Sequence, residues 1–176
     1  TLGCKVNQYE TNAMSQKLIE EGYKIVEHIQ KADIYIINTC TVTNMSDRKS
    51  RQMLRRVKEL NSKSIVVACG CYAQVAKKEL EKIKEIDLIL GNNEKGEIVE
   101  HVEDYIKNQE KINIEDVMQQ REFVDFGNVT YTEKTRAVIK VQDGCDRFCS
   151  YCIIPYARGR VRSRKPENVL AEIRKV

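Results

Sequence analysis

The 176 residues carry 30 basic and 26 acidic side chains, a formal net charge of +4, with 41% apolar residues, two prolines and eight glycines. That apolar mass suffices to bury a core and excludes a disordered chain. No run approaches the roughly 20 apolar residues of a membrane helix, and Thr1 to Glu10 lacks the apolar stretch of a secretory leader. Seven cysteines, an odd number without such a leader, argue against a disulfide framework and for metal or redox chemistry in a reducing cytoplasm.

In chain order, Thr1-Leu2 reads as the end of a strand begun upstream. Ala13, Met14, Leu18 and Ile19 have helical spacing, and the helix they predict stops near Gly22. Tyr23 to Val26 is a weak strand candidate. Ile34 to Ile37, Ile65 to Ala68 and Asp87 to Leu90 are short and rich in Ile, Val and Leu, as central parallel strands are. Helical patterns separate and follow them: Met53, Leu54, Val57 and Leu60; then Val75, Ala76, Leu80 and Ile83; then Ile98, Val99, Val102 and Ile106. This alternation predicts an α/β unit over residues 1–110 with an open, Rossmann- or flavodoxin-like parallel sheet.

Residues 111–134 read as a connector, with a short hairpin between Glu122 and Thr132. A second unit begins at residue 135, with a strand at Ala137 to Val141, a Cys-rich loop, and a helix opening at Pro166. One strand, one loop and one helix cannot make a core, so this unit reads as the start of a longer domain rather than as a piece docked on the first. Charge divides at the same place. Residues 134–176 carry 11 basic and 4 acidic side chains, and Arg158, Arg160, Arg162, Arg164 and Lys165 form a basic patch.

Cys145, Cys149 and Cys152 have the spacing C-x3-C-x2-C. Three thiolates in one loop suit an iron–sulfur cube with one iron left open to a small ligand. Zinc is the rival, although it usually takes four protein ligands. Cys4, Cys40 and Cys71 share no local motif, yet each follows a presumed strand, and in an open parallel sheet such ends share one ligand-binding edge. The helical patterns after them add positive potential at helix N-termini. Cys69 points into the sheet packing by strand alternation, with Cys69 in place of Cys71 as the alternative.

Four stretches together resemble the methylthiotransferase family of radical S-adenosylmethionine (SAM) enzymes. They are Leu2-Gly-Cys-Lys-Val-Asn-Gln-Tyr-Glu10, Asn38-Thr-Cys-Thr-Val-Thr43, Gly70-Cys-Tyr-Ala-Gln74 and the run from Gly144 to Arg160 that holds the three-Cys loop. The wording is most similar to the branch acting on N6-threonylcarbamoyladenosine beside the tRNA anticodon. Branches acting on isopentenyladenosine or on a ribosomal-protein aspartate are close to it. The resemblance implies that Cys145, Cys149 and Cys152 hold a [4Fe-4S] cluster whose open iron chelates SAM, with the Tyr151 backbone at the adenine. It implies that Cys4, Cys40 and Cys71 hold an auxiliary [4Fe-4S] cluster concerned with sulfur. It further implies a radical SAM partial TIM barrel from residue 135 onward, a C–H activation at adenosine C2, and a family RNA-binding module that this sequence does not contain. The implied partners are the tRNA anticodon stem-loop, a reductant such as flavodoxin or ferredoxin, and a sulfur donor that the residues do not identify.

Beside that resemblance, Arg158 and Arg160 are candidates for the SAM carboxylate or a tRNA phosphate. Arg48, Lys49, Arg51, Arg55, Arg56 and Lys58 read as a solvated helix face. Asn7, Gln8 and Glu10 are candidate hydrogen-bonders around Cys4, while His28 and His101 read as surface residues. A non-catalytic iron–sulfur electron-transfer protein is the competing class, and a zinc-stabilised RNA-binding module is the third.

Overall fold

The computed structural model describes residues 1–26, 29–109, 114–127, 129 and 136–176. Helix α1 (Lys5–Glu20) ends at Gly22, whose φ of +89° suits a residue without a side chain. Strand β1 (Ile34–Thr39) leads through helix α2 (Asn44–Leu60) to β2 (Ile65–Gly70). The Thr43 side chain caps α2 by accepting from the Ser46 N–H. Two short helices, α3 (Cys71–Val75) and α4 (Lys77–Leu80), lead to β3 (Leu88–Ile89), and a 3-10 turn at Glu94–Glu97 opens α5 (Ile98–Asn108).

The three strands are parallel, in the order β1-β2-β3, with Ile34 opposite Ile65 and Val67 opposite Leu88. Alternation along β2 sorts the core into two layers. Val67 and Cys69 pack with Tyr9, Met14, Leu18, Ile98 and Val102 of α1 and α5. Val66 and Ala68 pack with Leu54, Val57, Tyr72 and Leu80 of α2, α3 and α4. The open α/β sheet expected from the sequence is therefore present, with helices on both faces.

Several boundaries differ from the sequence expectations. Tyr23 to Val26 forms no strand and instead lines an apolar groove along the outer side of β1. Thr1-Leu2 is not a strand either, but the Leu2 N–H donates to the Asn38 carbonyl at 2.9 Å. The helix expected over Val75 to Ile83 breaks at Ala76. Val75 stays exposed while Leu80, Ile83 and Ile86 turn inward, so successive turns bury what one helix was expected to bury.

After the connector the chain forms β4 (Gln142–Asp143), α6 (Ile154–Arg158), β5 (Arg162–Ser163) and α7 (Pro166–Lys175). The Ala137–Val141 strand is not formed. Strand pairing begins at Gln142, where β4 pairs antiparallel with β5, and just before it the Arg164 N–H donates to the Val141 carbonyl. No barrel strand is visible among the described residues. No strand occurs among the described residues of Glu122 to Thr132; Asn128 and 130–132 lie outside them. The late unit docks on the first rather than standing apart. Tyr9 donates to Glu172 at 3.1 Å, Ala157 is fully buried, and Arg158 donates to Glu10 at 2.8 Å.

Candidate metal centre

Cys4, Cys40 and Cys71 occupy matched positions at the C-terminal edge of the sheet. Cys40 follows β1, Cys71 is the first residue of α3 directly after β2, and Cys4 is the N-cap of α1. Polar side chains lace the three segments together. Asn7 donates to the Leu2 carbonyl at 2.8 Å and to the Thr39 carbonyl at 2.9 Å, joining the Cys4 segment to the Cys40 segment. The Thr39 hydroxyl donates to the Cys69 carbonyl at 2.6 Å and accepts from the Ala73 N–H at 3.3 Å, joining Cys40 to Cys71. Gly3 is required at the contact: its φ is +101°, and a Cβ there would lie 2.7 Å from the Cys40 Cβ and 2.9 Å from its Sγ.

Asn92, just after β3, donates to the Cys71 Sγ at 3.6 Å and to the Ala157 carbonyl at 2.6 Å. It thereby reaches the sulfur and α6 together. Its Oδ1 is buried without a hydrogen-bond partner among the described residues.

Beside these thiols lies a buried charge network. Glu10 accepts from Lys95, from Lys140 at 2.7 Å and from Arg158 at 2.8 Å. Asp143 accepts from Lys140 at 2.6 Å and from Arg158 at 3.1 Å, and Arg158 also donates to the Asn7 Oδ1 at 2.8 Å. The network joined by these contacts contains three cations and two carboxylates. Burial pushes the Glu10 carboxyl up, but Lys95, Arg158 and Lys140 outweigh it and hold the pKa well below the carboxylate range. Burial likewise opposes the Arg158 charge, and Glu10, Cys71 and Asp143 outweigh it, so the guanidinium is held well above its ordinary value. One uncompensated positive charge next to a thiol suits an anionic ligand set of thiolates.

Cys145, Cys149 and Cys152 lie in the loop between β4 and α6, where Cys149 is exposed and the other two are half-buried. The loop is held at its ends: the Cys145 N–H donates to the Gly159 carbonyl at 3.0 Å and the Cys152 N–H to the Cys149 carbonyl at 2.9 Å. Phe148 has a φ of +47°, stacks edge-on with Tyr156 and lies beneath the Arg160 guanidinium. Tyr151 is 90% exposed.

All seven cysteines are free. Among the described residues no three His, Cys, Asp or Glu side chains surround one point tightly enough for a single metal ion. A four-iron cube seats its thiolates on separate corners, a wider arrangement than one ion takes. The donor chemistry at the sheet edge, three thiols beside surplus positive charge, fits such a cube.

Cys69 is fully buried in the α1/α5 layer, and burial pushes its thiol up to about 12, so it remains protonated. The basic patch of residues 158–165 divides into buried and exposed side chains. Arg158, Arg162 and Arg164 are buried, with Arg164 against Glu172 and Asp125, while Arg160 and Lys165 are exposed. On α2, Arg51 binds Tyr72 and Glu79 and Lys58 binds Asp87, leaving Arg48, Lys49, Arg55 and Arg56 on the exposed face. Asn7 and Glu10 are buried as described, whereas Gln8 accepts from Lys5. His101 lies 3.9 Å from Glu97 on α5, and His28 is outside the described residues. Sequence reasoning missed Thr39, Asn92, Lys95, Lys140 and Asp143 as neighbours of the thiol sites. Asn92 had a legible signal, since it follows a strand just as Cys40 and Cys71 do.

Residues 1–91 match the model of the uncharacterized protein family UPF0004. The threonylcarbamoyladenosine tRNA methylthiotransferase MtaB of Aquifex aeolicus is 45% identical over 175 residues, covering 99% of this chain and 43% of that protein. Its Bacillus subtilis namesake is 42% identical over 173 residues, covering 98% and 38%. A tRNA-2-methylthio-N(6)-dimethylallyladenosine synthase of Rickettsia rickettsii is 31% identical over 185 residues, covering 100% and 42%. The chain thus spans about two fifths of the length of these relatives. With the family model matching just over half of its residues, the chain belongs to the UPF0004 family.

Proposed function

We propose that the chain is part of a radical SAM methylthiotransferase that places a methylthio group at C2 of N6-threonylcarbamoyladenosine in tRNA. The observation that carries this reading is the lacing of Cys4, Cys40 and Cys71, from three distant segments, onto one sheet edge beside surplus buried positive charge. The printed names of the Aquifex and Bacillus relatives support the substrate. In this reading Cys4, Cys40 and Cys71 hold one [4Fe-4S] cluster, and Cys145, Cys149 and Cys152 hold a second together with SAM. When bound, these groups supply the one-electron and radical chemistry that acid–base side chains lack.

The chain's own residues position and protect. Gly3 lets the Cys4 segment approach the Cys40 sulfur, and Asn92 donates a hydrogen bond to the Cys71 sulfur. Tyr151 stands at the loop surface, where in this reading its backbone would meet the SAM adenine. Arg160, half-exposed over Phe148, is placed for a phosphate or the SAM carboxylate. The Arg158 guanidinium instead faces Glu10, Asp143 and Asn7. tRNA is the substrate partner, a flavodoxin- or ferredoxin-type protein the reductant, and the cytoplasm the compartment.

The test is mass spectrometry of tRNA nucleosides from cells lacking the full-length gene. Loss of the methylthio group from N6-threonylcarbamoyladenosine alone is expected. Loss from the dimethylallyladenosine nucleoside instead favours the activity named for the Rickettsia relative. Unchanged tRNA contradicts the proposal.

A further inference from the structure

Arg158 touches the surroundings of both thiol sites. It ends α6, directly after the three-Cys loop, and is only 4% exposed. One nitrogen reaches Asp143 and Glu10; the other reaches Asn7, which binds the Leu2 and Thr39 carbonyls beside Cys4 and Cys40. Cys71 is joined to the same helix through Asn92, which donates to its Sγ at 3.6 Å and to the carbonyl of Ala157, the residue before Arg158, at 2.6 Å. Asp143 in turn accepts from the Gly144 N–H at 2.9 Å, the residue before Cys145.

We propose that Arg158 is a positioning residue for both thiol sites, whose buried charge makes the group held by Cys4, Cys40 and Cys71 easier to reduce. This rests on the ligand assignment proposed above. One-electron reduction adds negative charge to that group, and a fixed cation in a low-dielectric setting favours the added charge. The planar, permanently charged fork also holds α6 against α1 through several hydrogen bonds, which an ammonium group cannot reproduce.

The experiment is a mediator-coupled potentiometric titration with dithionite as the electron donor, on the full-length protein reconstituted anaerobically with iron and sulfide. It follows the paramagnetic signal that is lost in Cys71→Ala. Arg158→Gln shifts the midpoint of that signal to more negative potential, and Arg158→Lys retains most of the wild-type value. Asp143→Asn, which removes a competing carboxylate, shifts it the other way and keeps the inference testable if Arg158→Gln fails to fold. Full iron with an unmoved midpoint in Arg158→Gln or in Asp143→Asn overturns the inference alone. A wild-type protein with no Cys71-dependent iron overturns both it and the ligand assignment.

Discussion

The two cysteine triads are built in opposite ways. At the sheet edge, cysteines separated by 36 and 31 residues are gathered by β1, β2 and α1 and then tied by Asn7 and Thr39. In the late loop, three cysteines within eight residues are held by hydrogen bonds at Cys145 and Cys152, around an exposed Tyr151. Closing long loops has an entropic cost that local spacing avoids. A site assembled from distant segments therefore needs the fold to build it, and a local one needs only its spacing. Damage to the core accordingly reaches the first triad before the second.

The largest effect is expected from Glu10→Gln, which leaves Lys95, Lys140 and Arg158 with one carboxylate fewer in a buried setting. Breaking buried pairs of this kind costs about 3–5 kcal/mol, measured by urea denaturation, and the sheet-edge site loses iron. The same network makes wild-type stability pH-dependent. Because the folded Glu10 and Asp143 pKa values are depressed, their contribution is full above the unfolded carboxylate values of 4.5 and 3.8. It is lost as pH falls through the folded values. Denaturation curves taken below pH 4.5 show the decline, and Glu10→Gln flattens it.

Gly3→Ala is smaller, about 1–3 kcal/mol from the strained backbone, plus the collision with Cys40. Iron quantification on the full-length protein detects loss at the sheet edge with the late loop still loaded. The smallest effect is that of Tyr151→Ala, whose side chain stands in solvent. Stability moves by less than about 0.5 kcal/mol, and a larger drop in the melting curve shows that the loop is packed more firmly than described.

Much of this was legible in the residues. The Ile- and Val-rich runs at Ile34 and Ile65 mark the strands, and the position of Cys40 and Cys71 after them marks the shared edge. The charge network was not. A buried lysine such as Lys95 reads like any surface lysine until its partner, 85 residues away, is known. Arg158 and Arg164 read as part of a basic patch for a phosphate or carboxylate because the acids they meet, Glu10, Asp143, Asp125 and Glu172, are scattered. Ala137 to Val141 has strand-like composition, but strand pairing begins only at Gln142.

Iron and acid-labile sulfide counted on the reconstituted full-length protein, in Cys71→Ala, Cys152→Ala and Cys69→Ala beside the wild type, test the central claim of two separate sites. About eight irons are expected in the wild type for two four-iron cubes, about half that in each of the first two variants, and the full complement in Cys69→Ala. Full iron in Cys71→Ala, or its complete loss in both single-site variants, contradicts two independent triads.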